Sequence, residues 1–345
     1  LFIFDSRIIS LINHQLKDWW RGKNYQMKIF PLSLFHKTFV VVAAILLPIL
    51  IVFLFGYHRN KEFLSTNILN SVSSIAEAYE GQLIQFLEMS KRRAVDFSSD
   101  GFIRDELKRL NDGDERAAER LREHLVMNKI VLDKTIDRIC VLNLDGRVVA
   151  STEKEVIGNS LEGEEFFEKV KGAVTVAERF NKRRGVSELA IGTPLTDRTT
   201  GAPIGVIINF VEFTEFSKIL SGMFSKELGA LSSERGRPAT MQIYLVNKDR
   251  LMITESKFVI GTPMKQAVDT LPVKRCLSYR QEFSGFYKDY RGVEVAGASM
   301  CLPDLNWTLL IEVDTDEALA PVSDMQKDAV IAAGIVMALL GVFFV

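Results

Sequence analysis

The segment from Ser284 to Leu319, SGFYKDYRGVEVAGASMCLPDLNWTLLIEVDTDEAL, decides the fold that we expect for this chain. Hydrophobic residues recur at every second position along two parts of it, which predicts two β-strands with one buried face each. The sequence Pro303-Asp304-Leu305-Asn306 supplies the turn between these strands. The predicted buried faces hold Val293, Val295, Gly297, Ser299 and Cys301 on the first strand, and Trp307, Leu309, Ile311 and Val313 on the second.

The composition excludes several classes of protein. The chain has 345 residues, enough for two domains of ordinary size, and its formal net charge of −1 gives no basic surface for nucleic acid. The four histidines, His14, His36, His58 and His124, show no spacing typical of metal ligands. We therefore expect no metal, no cofactor and no nucleic-acid partner.

Two hydrophobic segments, residues 39–57 and 328–345, lie on either side of a soluble block. The first approaches the length of about 20 residues that a transmembrane helix needs. The polar sequence around Arg59 follows it without a small-residue cleavage site, which favours an uncleaved anchor. We expect a two-pass membrane protein with residues 1–38 cytoplasmic and residues 58–325 extracytoplasmic.

The beginning of the chain has a separate interpretation. Met27-Lys28 stands shortly before the first hydrophobic segment, as at the N-terminus of many membrane proteins. Residues 1–26 are therefore interpreted either as an upstream extension or as a poorly ordered amphipathic piece.

Residues 58–132 are predicted to form a helical stalk region. Hydrophobic residues recur there at helical spacings of three and four, which predicts one long amphipathic helix from Glu62 to about Ser98. A second helical stretch is predicted from Glu115 to Leu132, after the polar break that begins at Asn111. The residues that carry the long-helix pattern are Ile68, Val72, Ile75, Tyr79, Leu83 and Phe86.

The rest of the soluble block contains an internal repeat. The hairpin sequence LNLDGRVVA at 142–150 recurs as VNKDRLMIT at 246–254, with Gly146 missing from the second copy. Such repetition predicts two modules of one architecture in tandem, each with a hairpin, a short helix and further antiparallel strands. We expect a membrane-distal module over 133–220, a linker over 221–238 and a membrane-proximal module over 239–320.

The motifs of both modules resemble a known family. LNLDGRVVAST followed by Ile157-Gly158 is similar to the distal half of a double Cache domain, and FYKDYRGVEVAG followed by WTLLIEVD is similar to the proximal half. Double Cache domains are extracytoplasmic sensors of bacterial signalling receptors. The resemblance implies an α+β fold, with a long N-terminal helix packed on two PAS-like antiparallel sheets and flanked by two transmembrane helices. It also implies the bacterial inner membrane and a ligand that binds mostly in the distal module.

The resemblance also implies positions for a ligand site. In amino-acid-binding members, an arginine and an aromatic residue at a helix start hold the ligand carboxylate, and a tyrosine and an aspartate hold its ammonium group. Aligned on Phe166-Phe167 and Gly205, this chain has none of the charged pairs that an α-amino acid needs, so we expect a different small-molecule ligand. The residues at the four positions, in that order, are Glu164, Phe166, Phe180 and Phe210.

Residues of a neighbouring strand and loop could also belong to this site. Ser187 lies on a strand expected to line it, and Arg183 and Arg184 lie on the loop beside it, where they could capture a small carboxylate. Alternatively, both arginines are solvated surface residues. The three phenylalanines could equally be core residues of a module that binds nothing.

No sequence motif of an enzyme is present. There is no phosphate-binding loop and no nucleophile elbow, so we expect a binding module without catalysis. We expect a homodimeric sensor that reports to an output domain beyond Val345, such as a histidine kinase, a diguanylate cyclase or a chemoreceptor tail. The alternative is a membrane-anchored solute-binding accessory or structural protein without an output domain.

The three cysteines are too few for a disulfide-based fold. Cys140 is interpreted as a small buried hydrophobic residue of a strand. Cys276 and Cys301 lie in one module, but their spacing does not determine whether they pair. The sequence leaves this disulfide open.

Overall fold

The computed structural model describes residues 34–181, 183–220 and 238–321, together with a few positions between 323 and 335. The chain divides into two compact units, Leu1–Arg59 and Asn60–Val345. Both predicted modules belong to the second unit, which therefore carries the candidate site.

Among the described residues, no helix combines the length and hydrophobicity needed to cross a membrane. The expected spans over residues 39–57 and 328–345 stay predictions, and the second lies largely outside the described residues. Residues 1–26 and all but the last residue of the expected linker, 221–238, also lie outside them.

The predicted long helix is present as part of helix α1, which covers Leu34–Ser99. The next helix, α2, covers Gly101–Asn111 and begins at a well-formed N-cap. The Asp100 carboxylate accepts hydrogen bonds from the N–H groups of Phe102 and Ile103, which would otherwise lack partners. Helix α2 lies within the predicted helical stalk region, between the two helices whose bounds were predicted from the sequence.

The stretch predicted as a single helix from Glu115 to Leu132 changes geometry twice. It starts as α3 (Arg116–His124), continues as a π-helical turn (Leu125–Lys129) and ends as a 3₁₀ turn (Ile130–Leu132).

The distal module contains one five-stranded antiparallel sheet. Helix α4 (Glu165–Val170) lies between its second and third strands in sequence, and α5 (Phe213–Leu220) follows the last strand. The strands are β1 (Arg138–Leu142), β2 (Val148–Ser151), β3 (Thr175–Asn181), β4 (Val186–Thr196) and β5 (Pro203–Glu212). Their spatial order is β2-β1-β5-β4-β3.

The proximal module repeats this arrangement with four strands. They are β6 (Gln242–Val246), β7 (Phe283–Lys288), β8 (Glu294–Leu302) and β9 (Trp307–Asp314), with helices α6 (Leu271–Tyr279) and α7 (Thr315–Ala318). Their order, β6-β9-β8-β7, matches β1-β5-β4-β3, and a single bridge between Val246 and Met252 replaces β2. The predicted tandem repeat is confirmed in strand order.

One detail of the repeat was wrong, because Gly146 is not deleted from the second copy. Arg250 takes its place, with a positive φ of 60° where Gly146 has 82°. In both turns this residue donates its backbone N–H to the carbonyl of an asparagine, Asn143 or Asn247. A non-glycine residue at positive φ is uncommon. Here the hydrogen bond to Asn247, which the first turn makes to Asn143, holds Arg250 in this conformation.

The strands of the opening segment are buried on both faces, not on one as predicted. Trp307, Leu309 and Ile311 of β9 pack in a hydrophobic core with α1, whereas Leu310 packs in a second core with Tyr244 on the other face. Because both faces of the sheet are covered, alternation of hydrophobic residues marks no solvent-exposed side.

The pairing that the sequence left open is present as a disulfide between Cys276 of α6 and Cys301 of β8, with a Cα–Cα distance of 5.5 Å. Cys140 is free and buried in β1, as expected. Burial raises the pKa of its thiol, so Cys140 is a poor nucleophile.

Candidate functional site

The distal sheet has two different faces. One face packs against the N-terminal helices, and the other, here called the pocket face, is covered by α4. Phe166, Phe167 and Val170 of α4 lie in one hydrophobic cluster with residues of the three central strands. The strand residues of the pocket face are Arg138, Cys140 and Leu142 on β1, Glu188, Ala190 and Gly192 on β4, and Val206, Ile208 and Phe210 on β5.

Helix α4 lies in close contact with this face because Gly192 has no side chain. A Cβ atom at Gly192 would lie 2.2 Å from Cγ2 of Val170 and 3.2 Å from Cζ of Phe166. The phenyl rings therefore fill the space between helix and sheet, and a ligand would have to displace α4 or rotate the rings.

A buried ion pair lies at the end of this apolar surface. The guanidinium of Arg138 donates a hydrogen bond from Nη2 to Oε1 of Glu188 over 2.7 Å, and both side chains are at most 5% exposed. The guanidinium also stacks over the ring of Phe210, 4.0 Å from its centroid. Nε of Arg138 has no hydrogen-bond partner among the described residues. Both partners keep hydrogen-bonding capacity that a ligand could use.

A second pair of opposite charges lies where α4 begins. Both Nη atoms of Arg179 on β3 donate to the carboxylate of Glu164, with Nη2 to Oε1 at 3.0 Å. Asn181, two residues further along β3, donates from Nδ2 to Oε2 of Glu188 over 3.2 Å. Strand β3 therefore contributes polar contacts to both ends of the site.

An open cavity of about 410 Å³ lies beside the buried pair. Asp137, Thr152, Glu153 and Arg184 contribute its polar lining. Nη1 of Arg138 lies 3.4 Å from Oε2 of Glu153, so one carboxylate of the cavity lining contacts the buried guanidinium.

Both loop arginines are already engaged by carboxylates. Arg183 pairs with Glu153 at 3.3 Å, and Arg184 pairs with Asp137 and with Glu212, the latter at 2.6 Å. The hydrogen bond to Asp137 raises the pKa of Arg184. Both arginines are nevertheless surface residues, with side chains 55% and 36% exposed, and a ligand carboxylate would have to compete with these partners.

The six predicted site residues are only partly brought together. Glu164, Phe166 and Phe210 lie together at the pocket face. Phe180 and Ser187 are not brought to this face, because they pair across β3 and β4 on the opposite one, where Phe180 is 54% exposed. Their strand neighbours Arg179 and Glu188 occupy the pocket face instead, a difference of one residue in the strand register.

The structure also removes the basis for excluding an α-amino acid. That prediction assumed that Glu164 and Phe210 left a carboxylate and an amine without partners. The pocket face instead holds charges of both signs, Arg138 and Glu188. Sequence reasoning missed these residues; alternation along β1 and β4 would have identified them once the register of either strand was known.

The proximal module carries a different buried polar cluster at the equivalent sheet face. Glu312 of β9 is fully buried and accepts hydrogen bonds from the hydroxyls of Tyr287 and Tyr244 and from Nε2 of Gln242, at 2.7, 2.9 and 2.8 Å. Loss of hydration raises the pKa of Glu312 to about 7, against the opposing effect of these donors.

In the described part of the chain, no cluster of three or more histidine, cysteine, aspartate or glutamate side chains could hold a metal ion.

Tandem modules of this kind, each with a sheet between helices, define a class of sensor domain. The chain belongs to the double Cache family, since the Cache domain model dCache_1 matches residues 60–322. Cache domains are sensory, non-catalytic, extracytoplasmic parts of membrane receptors.

Solved structures share the fold at low sequence identity. The sensor domain of the Vibrio cholerae histidine kinase DctB has a TM-score of 0.54 and 12% identity, over 72% of this chain and 98% of that one. The Campylobacter jejuni chemoreceptor Tlp3 in complex with 4-methylisoleucine has a TM-score of 0.53 and 10% identity, over 74% and 94%. The same domain with isoleucine bound has a TM-score of 0.51 and 10% identity, over 74% and 98%. No curated protein sequence matches the chain.

Proposed function

We propose that this chain is the extracytoplasmic sensing region of a transmembrane signalling receptor, and that its ligand binds on the pocket face of the distal module. The observation that carries this proposal is the buried Arg138–Glu188 ion pair on the same sheet face that the short helix α4 covers. The signal would pass to a cytoplasmic histidine kinase, diguanylate cyclase or chemoreceptor output domain.

The ion pair supports ligand binding better than it supports stability. The free energy needed to remove two charges from water is about as large as the free energy of their attraction, so a buried ion pair adds little stability. A ligand with a carboxylate and a cationic group could enter between Arg138 and Glu188 and pair with both. Phe210 and Phe166 would then provide an apolar wall for the rest of the ligand.

This geometry favours a small zwitterion, and the relatives that bind isoleucine and 4-methylisoleucine make aliphatic amino acids the first candidates. The second candidate is a small carboxylate without an amine, which would use Arg138 alone. The two classes differ in their need for Glu188, since only a zwitterion has a positive group to pair with it.

A thermal-shift screen of the soluble piece 60–322 tests the proposal with amino acids and with mono- and dicarboxylates. The double variant R138M/E188L removes both charges at once and leaves neither unpaired. We expect a ligand to raise the melting temperature of the wild type and of the exposed-surface control R198A, but not of R138M/E188L. Equal stabilisation of all three proteins would place the ligand elsewhere.

The single variant E188Q separates the two ligand classes. It should weaken binding of an amino acid strongly, because the ammonium group loses its anion. It should leave binding of a simple carboxylate intact or stronger, because Arg138 loses its competing partner.

A further inference from the structure

Glu178 of β3 connects the distal module to the proximal module. Its side chain points away from the pocket face, and its carboxylate contacts two residues of the proximal module. Oε1 accepts a hydrogen bond from Nδ2 of Asn247 over 2.8 Å, and Oε2 accepts one from Nε1 of Trp307 over 3.2 Å. One carboxylate thus bridges two parts of the other module.

Both contacted residues are fixed in the proximal module. Asn247 is fully buried and holds the β6 turn, because its Oδ1 accepts the backbone N–H groups of Asp249 and Leu251 at 3.0 and 2.9 Å. A movement of Glu178 would therefore be transmitted to this turn.

Trp307 is the first residue of β9, which lies between β6 and β8 in the sheet. Its side chain is 1% exposed and packs edge-on against Phe213 and Phe216 of α5, with ring centroids 5.4 and 5.3 Å away. The contact with Glu178 therefore reaches the central strands of the proximal sheet.

The neighbours of Glu178 on β3 belong to the candidate site. Arg179 pairs with Glu164 at the start of α4, and Asn181 contacts Glu188. Successive residues of a strand point to opposite faces, so a shift of β3 that follows a change in the pocket also moves Glu178. Strand β3 is an edge strand, paired in its sheet with β4 alone, so a single strand ladder opposes such a shift.

We propose that Glu178 is the residue through which the proximal module senses the state of the distal pocket. This inference rests on the proposed function, because it names the contact that couples the distal pocket to the proximal module of the same sensor. Glu178 positions Asn247 and Trp307 and touches no ligand.

The indole N–H of Trp307 gives a direct readout of this contact. The chain has three tryptophans, and replacing Trp19 and Trp20 by phenylalanine leaves Trp307 alone. In the full chain in detergent micelles, labelled with ¹⁵N-tryptophan, a single indole resonance then reports on the hydrogen bond to Glu178.

The pocket is perturbed without any ligand by E164A, which removes the partner of Arg179. We expect E164A to shift the indole resonance when Glu178 is present. In the E178A background, adding E164A should cause no further shift. The matched control is E165A on the same helix, whose side chain is 84% exposed and should leave the resonance unchanged.

Two results would overturn the inference: no shift on E164A, or the same shift with and without Glu178. If E178A does not fold, E178Q serves as the background, and the E164A shift should be smaller there. No ligand is used in this experiment, so a failed ligand screen and a failed coupling test are separate outcomes.

Discussion

At the scale of single residues, Glu312 shows how burial raises the pKa of a carboxyl group. No described basic side chain lies within ion-pair distance of it, and Asp289 nearby is already paired with Arg291. Gly297, opposite Glu312 on β8, makes room for this cluster, since a Cβ there would lie 2.6 Å from the Tyr287 hydroxyl.

Glu312 makes the stability of the proximal module depend on pH. Its pKa is about 7 in the fold against 4.5 for an ordinary glutamate, so the folded state binds more protons than the unfolded chain between these values. Stability from this group is therefore present below pH 4.5 and is lost as pH rises through 7, by about 3 kcal/mol in total.

We expect E312Q to remove most of this dependence, because glutamine keeps an acceptor for the tyrosines and carries no charge. Urea unfolding at pH 5 and at pH 8 measures the effect, with the exposed variant E165Q as the control. A pH dependence equal to that of the wild type would assign the titration to another group.

The Arg138–Glu188 pair leads to a second prediction at this scale. R138A leaves a carboxylate buried without its cation and should lower the free energy of unfolding by about 3–5 kcal/mol. R138M/E188L should lie close to the wild type or above it, because it removes both desolvation costs. Urea unfolding of residues 60–322 measures both variants. A double variant as unstable as R138A would mean that the pair is kept for stability.

At the scale of elements, the disulfide fixes α6 to β8. The bond closes a loop with a sequence separation of 25 residues. A cross-link that closes such a loop lowers the conformational entropy of the unfolded chain, which stabilises the fold by about 3 kcal/mol. Reduction, or the variant C276A, should therefore lower the unfolding free energy by roughly that amount.

Unfolding with and without reductant tests the disulfide prediction. C140A provides the control, since it should leave the sensitivity to reductant unchanged. Thiol counting under denaturing conditions should find one free cysteine, Cys140, and a count of three would rule the bond out.

At the scale of the whole molecule, one hydrophobic core joins the two modules. It contains Leu189 and Val211 of the distal sheet, Leu309 and Ile311 of the proximal sheet, and Leu83 of α1. A change in either sheet therefore affects side chains of this shared apolar core, in addition to the Glu178 contact.

The expected membrane topology is tested on intact cells. Thr200 lies in the exposed turn between β4 and β5, and the variant T200C should react with a membrane-impermeant maleimide added from outside. The variant K28C, in the segment expected to be cytoplasmic, should react only after the cells are opened. Labelling of K28C and not T200C in intact cells would reverse the orientation.

The sequence alone determined the plan of the molecule. Hydrophobic periodicity predicted the long helix, and the repeated asparagine turns predicted two modules, because each depends on residues close together in the chain. Turn geometry was harder to predict, since Arg250 adopts the backbone conformation of Gly146 with no sign of it in the residue type.

Only the tertiary structure decided which strand residues lie on the face of the candidate site. Alternation allows two registers, and the packing of α4 on one face of the sheet selects Arg179 and Glu188 over Phe180 and Ser187. The pairing of Arg138 with Glu188, 50 residues apart, likewise depends on β5 lying between β1 and β4. A local sequence pattern does not identify such distant neighbours, because the contacts between strands depend on how the whole sheet folds.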